Sequence, residues 1–321
     1  MTVKPRSRNV CLLGGTGFVG RTLATHLVRA GCRITIPTRN RQRHRDLLVL
    51  PGVDLIDADV HDERTLAALV AGSDAVINLV GILNERGRDG SGFKRVHVDL
   101  VAKLLRACHD TGVTRLLHMS ALKANADRGP SHYLRTKGQA EQLIRNEARG
   151  VRFTIFKPSV IFGPEDSFTN RFAKLLKRLP ILPLACADAR MTPVYVNDVA
   201  RAFMAALDDS RTFGRTYELC GPEIYSLEEI VRFVQRQLEL KRLIVPLPKS
   251  LGRMQAWVGE FLPGKPFSLD NFASLSVAGI CSDNGFATFG IEPQPMSVIV
   301  PRYLAPRRPV RPSEKFRAHA L

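Results

Sequence analysis

The sequence predicts an α/β fold: a doubly wound parallel Rossmann sheet with a smaller C-terminal lid or substrate region. A glycine-rich turn follows a short apolar strand close to the N-terminus. Strand-like and helix-like segments then alternate with short connections through the first half of the chain, which is typical of right-handed β-α-β crossovers. After Pro158 the pattern changes and prolines become frequent, which indicates a separate lid region.

The glycine turn is Gly14-Gly15-Thr16-Gly17-Phe18-Val19-Gly20, and it directly follows the apolar run 10–13. The residues after it have the spacing of an amphipathic helix, and Gly31 follows as a helix end before a second strand at 33–36. A strand that turns through glycines into a helix brings backbone N–H groups and a positive helix pole to a pyrophosphate. We therefore predict dinucleotide binding by Gly14, Thr16, Gly17, Phe18, Val19 and Gly20.

The residues beyond the second strand predict NADP(H) rather than NAD(H). NAD-preferring sites place an acidic residue about 20 positions beyond the turn, but the first acidic residue of this chain is Asp46. Arg39 stands there instead and opens the basic run 39–45. A guanidinium group can hold a 2′-phosphate, which a carboxylate would repel. We interpret the other arginines of the run as solvated charges.

The rest of the first half predicts further strands at 53–56, 75–80, 115–120 and 151–156. Helices are expected at 63–71, 93–111 and 136–147, where apolar residues recur with helical spacing. Residues 1–160 are thus expected to form the dinucleotide-binding domain. Residues 161–300 are expected to form a lid with segments that return to the sheet, including helices near 198–208 and 227–240, and 301–321 a basic flexible tail.

The composition is that of an ordinary globular chain, with 45% hydrophobic and 24% charged residues and no apolar stretch of membrane-spanning length. The net charge of +17 suits an anionic partner such as a membrane surface or an acidic protein. A nucleic acid is not expected, because no RNA-binding module or interleaved aromatic residues accompany the charge. The six scattered cysteines lack paired spacing, so reduced buried thiols of a cytoplasmic protein are expected rather than disulfides or a metal site.

A second motif, Tyr133-Leu134-Arg135-Thr136-Lys137, lies near the start of a predicted helix. Residues four apart share a helix face, and a nearby ammonium group together with a cofactor's positive ring would lower the pKa of the phenol. The spacing predicts Tyr133 as general acid/base and Lys137 as a ribose ligand. Ser120, thirteen residues earlier at a strand end, is the candidate for polarising a substrate carbonyl. A surface pair on a helix is the alternative.

Together these motifs resemble the extended or atypical branch of the short-chain dehydrogenase/reductase superfamily, over roughly residues 9–240. The resemblance also rests on the segments 57–60, 78–81 and 157–164. It implies that the cofactor is contacted by the following residues: Asp59 and Val60 at the adenine, Leu79, Val80 and Gly81 at a strand end, and Pro158, Ser159 and Val160 at the nicotinamide.

Three polar residues near these segments have structural alternatives. Asp59 could cap the next helix and Asn78 could be a buried, hydrogen-bonded amide. Asp198 is interpreted as a helix N-cap rather than a site residue.

A narrower similarity, over 131–137, 157–159 and 162–172, is to the nucleotide-binding accessory subunits of respiratory complex I and their bacterial relatives. It implies tightly held NADPH, a role in assembly or stabilisation, and in some relatives a link to quinone biosynthesis. Leu122 and His97 stand where enzymes of the extended branch usually carry a hydroxyl residue and an Asn, so the hydroxyl that polarises a substrate carbonyl is either Ser120 or absent.

We therefore expect an accessory-subunit-type protein, cytoplasmic or peripheral at the inner face of the membrane. It could associate with complex I. The alternative is an active NADP-dependent oxidoreductase or epimerase/dehydratase that acts on a small-molecule carbonyl or hydroxyl, or on a quinone-type substrate.

The segment 251–262 predicts an apolar helical face that includes Trp257, the only tryptophan of the chain. Most such faces pack in a protein core, and contact with a membrane is the alternative.

Overall fold

Residues 8–305 are described by the structure, which is a computed structural model. The strands are β1 (Asn9–Leu13), β2 (Arg33–Thr38), β3 (Val53–Asp57), β4 (Ala75–Asn78), β5 (Arg115–Met119), β6 (Arg152–Pro158), β7 (Ile161–Phe162), β8 (Ile181–Leu184), β9 (Arg190–Met191), β10 (Val194–Tyr195), β11 (Arg215–Leu219), β12 (Tyr225–Ser226) and β13 (Leu243–Pro246).

The α-helices are α1 (Phe18–Arg29), α2 (Glu63–Val70), α3 (Ser91–Lys94), α4 (Leu100–Thr111), α5 (His132–Glu147), α6 (Thr169–Arg178), α7 (Val196–Asp208), α8 (Leu227–Gln237), α9 (Lys249–Gly259), α10 (Leu269–Ser274), α11 (Met296–Ile299) and α12 (Pro301–Leu304). A π-helical turn, Arg95–Asp99, joins α3 to α4, and 3-10 segments cover Arg41–Val49, Ser210–Thr212 and Gly285–Phe289.

The central sheet has seven strands in the order β11-β6-β5-β4-β1-β2-β3. Every neighbouring pair in it is parallel, so the predicted doubly wound α/β fold is confirmed. The strand order reverses between β1 and β4, and ligands of such sheets bind at the carboxyl edge beside that switch point. The first half of the chain supplies six of these strands, and β11 joins the outer edge beside β6.

Side chains of alternate residues in the buried strands belong to two apolar cores, one on each face of the sheet. Val10 and Leu12 pack with the apolar residues of α1 and α7. Cys11 and Leu13 pack instead with those of α2, α4 and α5. Both faces of β1 are thus covered. The glycine turn begins directly after the last residue of β1 and therefore lies at the carboxyl edge of the sheet.

Two helices differ from the prediction. α5 begins at His132, four residues earlier than expected, because Ser131 is its N-cap and accepts the N–H of Leu134 at 3.1 Å. The single helix expected over 93–111 is interrupted by the π-helical turn. The early start of α5 places Tyr133 and Lys137 in its first two turns.

The lid has a separate apolar core, built mainly from α6, α8 and the two-stranded sheet of β8 with β13. α12 packs against α8, and Tyr303 shares a hydrogen bond with Thr169 at 3.0 Å. The part of the predicted tail beyond residue 305 lies outside the described residues.

The cysteine prediction is wrong for one pair, because Cys220 and Cys281 form a disulfide. Cys220 follows β11, and Asn284 donates to the carbonyl of Cys220 at 2.9 Å, which brings the two cysteines together. A separation of 61 residues hides this pairing in the sequence. The remaining cysteines are thiols: Cys11, Cys32 and Cys108 are buried and Cys186 is half-buried.

Two further expectations about side chains differ. Asp198 does not cap α7: it lies in the first turn, where its Oδ2 accepts the N–H of Gln294 at 2.7 Å. The apolar face of α9 is exposed to solvent and not packed in the lid core. Over residues 8–305, every helix is too short or too polar to cross a membrane.

Candidate functional site

The glycine turn is held in a shape that only glycine permits at two positions. Gly14 has φ +78°, and a Cβ there would lie 3.1 Å from the backbone carbon of Leu79. A Cβ on Gly20 would lie 2.4 Å from the carbonyl oxygen of Gly14. The turn therefore packs closely against both α1 and the end of β4.

The start of α1 faces the same edge of the sheet. Its N-cap is Gly17, which has no side chain to accept the N–H groups of the first turn, and that turn contains no acidic residue. Unpaired N–H groups and the helix dipole together favour an anion. These residues fit the pyrophosphate of a dinucleotide.

The carboxyl ends of β4 and β5 meet at Lys137. Its Nζ donates to the carbonyl of Met119 at 3.0 Å and to that of Val80 at 3.4 Å. A Cβ on Gly81 would lie 3.0 Å from the same Nζ. Burial lowers the pKa of Lys137 to about 8. The structure thus brings Leu79, Val80, Gly81 and Lys137 together, beside Gly14.

Arg39 directly follows β2 and is exposed at the same edge of the sheet. The basic run after it is not a simple loop, because Asn40 accepts the N–H of Arg43 at 3.2 Å and starts the 3-10 segment. Arg21 of α1 ties that segment to the glycine turn: it donates to the carbonyl of Thr16 and pairs with Asp46. Arg39 itself is exposed, so its side chain is accessible from solvent.

Asp59 follows β3 and is also exposed. Its Oδ1 accepts the N–H of His61 at 2.9 Å. The cap of α2 is Asp62, whose side chain accepts the N–H of Thr65 at 2.8 Å. The alternative that Asp59 caps the next helix is therefore wrong, and Asp59 lies close to the carboxyl end of β3.

Asn78, at the end of β4, is a buried and hydrogen-bonded amide. Its Oδ1 accepts the N–H of Val80 at 3.1 Å, and its Nδ2 lies 3.2 Å from Nδ1 of His118. These contacts fix the backbone of Val80, one of the residues predicted to line the cofactor.

Tyr133 packs against two aromatic residues of the preceding helical segment. Its ring is 5.6 Å from that of His97 and 6.3 Å from that of Phe93. Burial, and after it the negative charge of Asp270, raise the pKa of Tyr133 to about 12. The surroundings that this chain provides therefore act against the lowered pKa expected from the Tyr-Lys spacing.

His97 is neutral and fully engaged in the structure. Its Nε2 accepts the N–H of Ile82 at 3.1 Å, which assigns the ring proton to Nδ1, 2.9 Å from Oγ1 of Thr136. Thr136 in turn donates to the carbonyl of His132 at 2.8 Å. Burial and the charge of Lys137 lower the pKa of His97 to about 2. His97 therefore supports the start of α5 and is not a proton donor at neutral pH.

Ser120 has a partner other than a substrate. Its hydroxyl donates to Oε1 of Glu141 at 2.5 Å, and both residues are buried. Oε2 of Glu141 also accepts from Lys157 at 3.3 Å. Leu122, at the position where a hydroxyl is usual in the extended branch, is a buried apolar side chain. The hydroxyl predicted to polarise a carbonyl is thus held by a carboxylate of α5.

The segment at the end of β6 is held by the end of β11 and by the loop at Gly279. The N–H of Ser159 donates to the carbonyl of Leu219 at 2.9 Å, and its hydroxyl donates to that of Gly279 at 3.2 Å. Pro158 and Ser159 are buried and Val160 is half-buried. Gly279 is two residues from Cys281, so the disulfide lies close in the chain to this contact.

A cavity of about 300 Å³ lies between the loop before α3, the start of α5 and the helices α9 and α10. His132, Arg135, Trp257 and Asp270 are among its lining residues. Asp270 accepts the N–H groups of His132 at 2.6 Å and of Tyr133 at 3.2 Å. The lid therefore contacts the first turn of the helix that carries Tyr133.

Two residues of the site were missed by sequence reasoning. Glu141 follows Tyr133 and Lys137 with the same four-residue spacing, so its place on the inner face of α5 could have been inferred. Asp270 lies 137 residues from Tyr133 in sequence, and no local pattern indicates the contact. Within residues 8–305, no group of three or more His, Cys, Asp or Glu side chains is placed to hold a metal ion.

The chain is similar to several known proteins. Residues 10–220 match the model of the NAD dependent epimerase/dehydratase family. The chain is 31% identical over 289 residues to NADH dehydrogenase (ubiquinone) 1 alpha subcomplex subunit 9, mitochondrial, of Arabidopsis thaliana; the match covers 85% of this chain and 71% of that protein. It is also 28% identical over 249 residues to the ceramide reductase of Caulobacter vibrioides, covering 74% of this chain and 73% of that protein.

Among solved structures, the Bordetella bronchiseptica enzyme WbmH in complex with NAD+ superposes with a TM-score of 0.71. The superposition covers 93% of this chain and 97% of WbmH, with 17% sequence identity. At that identity the likeness shows the shared fold alone.

Proposed function

The chain belongs to the NAD dependent epimerase/dehydratase family, and on that premise we propose that it is an NADP(H)-binding protein of the complex I accessory-subunit type, in which the dinucleotide has a structural role. One contrast carries the proposal. The close-packed glycine turn and the buried Lys137 suit a dinucleotide, whereas Ser120 is held by Glu141 and Leu122 offers no hydroxyl. Such a chain can hold the cofactor without activating a substrate carbonyl.

The preference for the 2′-phosphorylated cofactor rests on Arg39. Its guanidinium is exposed beyond β2, where a carboxylate would select the unphosphorylated ribose. Bound NADPH would supply a hydride. The residues of this chain would hold the cofactor, with Gly14 and Gly20 at the pyrophosphate, Lys137 at the ribose and Pro158, Ser159 and Val160 at the nicotinamide.

A respiratory complex is the proposed partner. The relative from Arabidopsis is named as a subunit of NADH dehydrogenase and matches 85% of this chain. A protein with the same role would lie at the periphery of the membrane, on its inner face. Assembly or stabilisation of that complex is the proposed outcome of dinucleotide binding.

An active NADP-dependent reductase is the second candidate. Tyr133 and Lys137 lie one turn apart on α5, as acid/base chemistry on a carbonyl, hydroxyl or quinone-type substrate requires. The similarity to a protein named ceramide reductase favours this second candidate. The raised pKa of Tyr133 and the engaged Ser120 act against it.

Purification without added cofactor separates the two candidates. We expect the purified protein to retain NADP(H) through gel filtration, detected by absorbance of the reduced nicotinamide, and a panel of carbonyl and quinone compounds to leave it reduced. Tyr133→Phe should retain the cofactor equally well. Multiple turnover with any member of the panel, abolished by Tyr133→Phe, would contradict a structural role. Failure of the wild-type protein to bind either NADP(H) form would contradict both candidates.

A further inference from the structure

Helix α9 has two faces of opposite character. Gly252, Ala256 and Gly259 are buried and form the inner face, where Gly252 packs against Ala185 and Phe272. On the outer side, Leu251, Met254 and Val258 recur with helical spacing, and the apolar face continues through Trp257 and the turn after the helix to Phe261 and Leu262. The small residues let α9 lie close to Ala185 and Phe272 in the rest of the lid, while its large apolar side chains are exposed on the other side, with Trp257 at the edge of the cavity beside α10.

These six outer residues are exposed, each to between 44% and 59% of its full surface. The rings of Trp257 and Phe261 contact each other edge to face at 5.1 Å between centroids. A contiguous patch of large apolar side chains on a protein surface usually marks a contact with a partner or a membrane. We call these six residues the α9 face.

The charges around the α9 face are basic. Lys249 and Arg253 are exposed on the helix itself, which contains no Asp or Glu. The guanidinium of Arg88 lies over the ring of Phe261 at 4.4 Å. The nearest acidic residue along the chain, Glu260, is withdrawn from the surface and paired with Lys265 at 2.9 Å and with Arg88 at 3.9 Å. Among the described residues, the uncompensated positive charges beside the face are thus Lys249 and Arg253. An approaching surface therefore meets apolar side chains bordered by positive charge.

We propose that the α9 face is a membrane-docking surface that inserts Trp257 and its apolar neighbours at the interface of an anionic bilayer. This inference rests on the peripheral location proposed above and names the surface responsible for it. An amphipathic helix with aromatic and aliphatic residues on one side and Lys or Arg beside them suits the boundary between headgroups and acyl chains. Trp is enriched at that depth because its ring is apolar and its N–H is polar.

The charge distribution favours a bilayer over a second copy of this chain. Two α9 faces packed together would bring their Lys249 and Arg253 side chains into proximity, and like charges at an interface oppose association. Anionic headgroups neutralise the same residues, and the net charge of +17 draws the whole protein toward such a surface.

The tryptophan provides a direct test, because Trp257 is the only one in the chain. The full-length protein is mixed with phosphatidylcholine vesicles that contain or lack phosphatidylglycerol. We expect binding to the anionic vesicles at low salt, a blue shift of the Trp257 emission, and quenching by lipids brominated on the acyl chain. Emission that stays unchanged while the protein is bound would overturn the proposal, as would failure to bind anionic vesicles at all, the result expected for a protein partner.

Matched variants separate the α9 face from general charge. The double variant Met254→Ser/Phe261→Ser should lower the affinity for anionic vesicles by about tenfold, because it removes inserted apolar area and leaves the charge unchanged. Leu48→Ser/Val49→Ser removes two exposed apolar residues of the dinucleotide-binding domain and should not change the affinity. Equal binding by the two variants would overturn the proposal.

Lys249 and Arg253, which we call the basic border of the α9 face, are tested in the same way. Lys249→Gln/Arg253→Gln should weaken vesicle binding by about tenfold, given the energy of basic residues near an anionic surface. Lys174→Gln/Lys177→Gln removes two exposed charges from α6 of the same lid and should weaken it less. Equal weakening would overturn the specific role of the border. Circular dichroism of each variant reports folding, and dinucleotide retention is measured separately on the wild-type protein, so a failure here stays distinct from a failure of the proposed cofactor role.

Discussion

The carboxylate of Asp270 in the lid accepts the backbone N–H of Tyr133, with 3.2 Å between Oδ2 and the nitrogen. The same carboxylate accepts the N–H of His132 at 2.6 Å, so it satisfies two of the free donors at the start of α5. The helix that carries the Tyr-Lys pair is thus held from the side of the lid. The contact also places a negative charge beside a phenol whose pKa is already raised by burial.

Replacing Asp270 with asparagine should lower the pKa of Tyr133 from about 12 toward its ordinary value near 10, since the amide keeps an acceptor and loses the charge. A group whose pKa is higher in the folded state than in the unfolded state contributes stability that is fully present below the unfolded-state pKa. That contribution is lost as the pH rises through the folded-state pKa. Stability should therefore fall less steeply above about pH 10 in Asp270→Asn. Tyrosinate absorbance, as a difference from Tyr133→Phe, measures the shift. Asp283→Asn, an exposed acid near Cys281, is the control, and an equal shift in it would contradict the assignment.

Glu141→Gln should reduce the free energy of unfolding by about 3 kcal/mol, because it leaves the Lys157 ammonium without its buried counter-charge. Urea unfolding measures the change. Glu147→Gln, on the same helix but exposed, should change stability by less than about 0.5 kcal/mol. Similar losses in the two variants would mean that Glu141 does not form the network seen around Ser120.

Arg39→Ala should weaken NADPH binding by about tenfold or more while it leaves NADH binding nearly unchanged, because the lost bond is charge-assisted and the 2′-phosphate is its acceptor. Titration with each reduced cofactor measures both affinities. Arg45→Ala removes a neighbouring exposed charge and should affect the two cofactors alike. Equal losses of both cofactors in Arg39→Ala would show that Arg39 is only a surface charge.

Gly20→Ala should abolish dinucleotide binding and lower stability by at least about 1–3 kcal/mol, because its Cβ would collide with the backbone of Gly14 and Gly15. Gly31→Ala is the control at the other end of α1. Gly31 has φ +79° and a Cβ there meets no heavy atom within 4 Å, so backbone strain should cost about 1 kcal/mol and cofactor binding should persist. Cofactor retention in Gly20→Ala would contradict the packing described for the turn.

The parallel sheet could be predicted from the sequence because its signals are local. Each strand of the first half is an apolar run of a few residues bounded by a turn, and the glycine turn fixes where the sheet begins. The start of α5 is harder to predict, because the capping role of Ser131 depends on one side-chain hydrogen bond. The disulfide was missed because it joins segments that only the folded lid brings together.

The candidate site was predictable to the extent that it is encoded in short motifs. Gly14, Gly20 and Lys137 meet because parallel strands end at one edge. The bond between Ser120 and Glu141 was not predictable, since it depends on how α5 packs against the end of β5 and not on the spacing within α5. The exposure of the α9 face was also hidden. An apolar stripe looks the same in sequence whether it packs inward or outward, and here Gly252, Ala256 and Gly259 form the inner contact.

The disulfide between Cys220 and Cys281 closes a covalent ring within the chain. The ring contains α8, α9 and α10, and therefore both the α9 face and Asp270. If a protease cut the exposed turn at 263–264, the two fragments would remain one molecule until the bond was reduced. A nicked protein could thus keep its lid helices attached at the carboxyl edge of the sheet, and its cleavage would be visible only on a reducing gel.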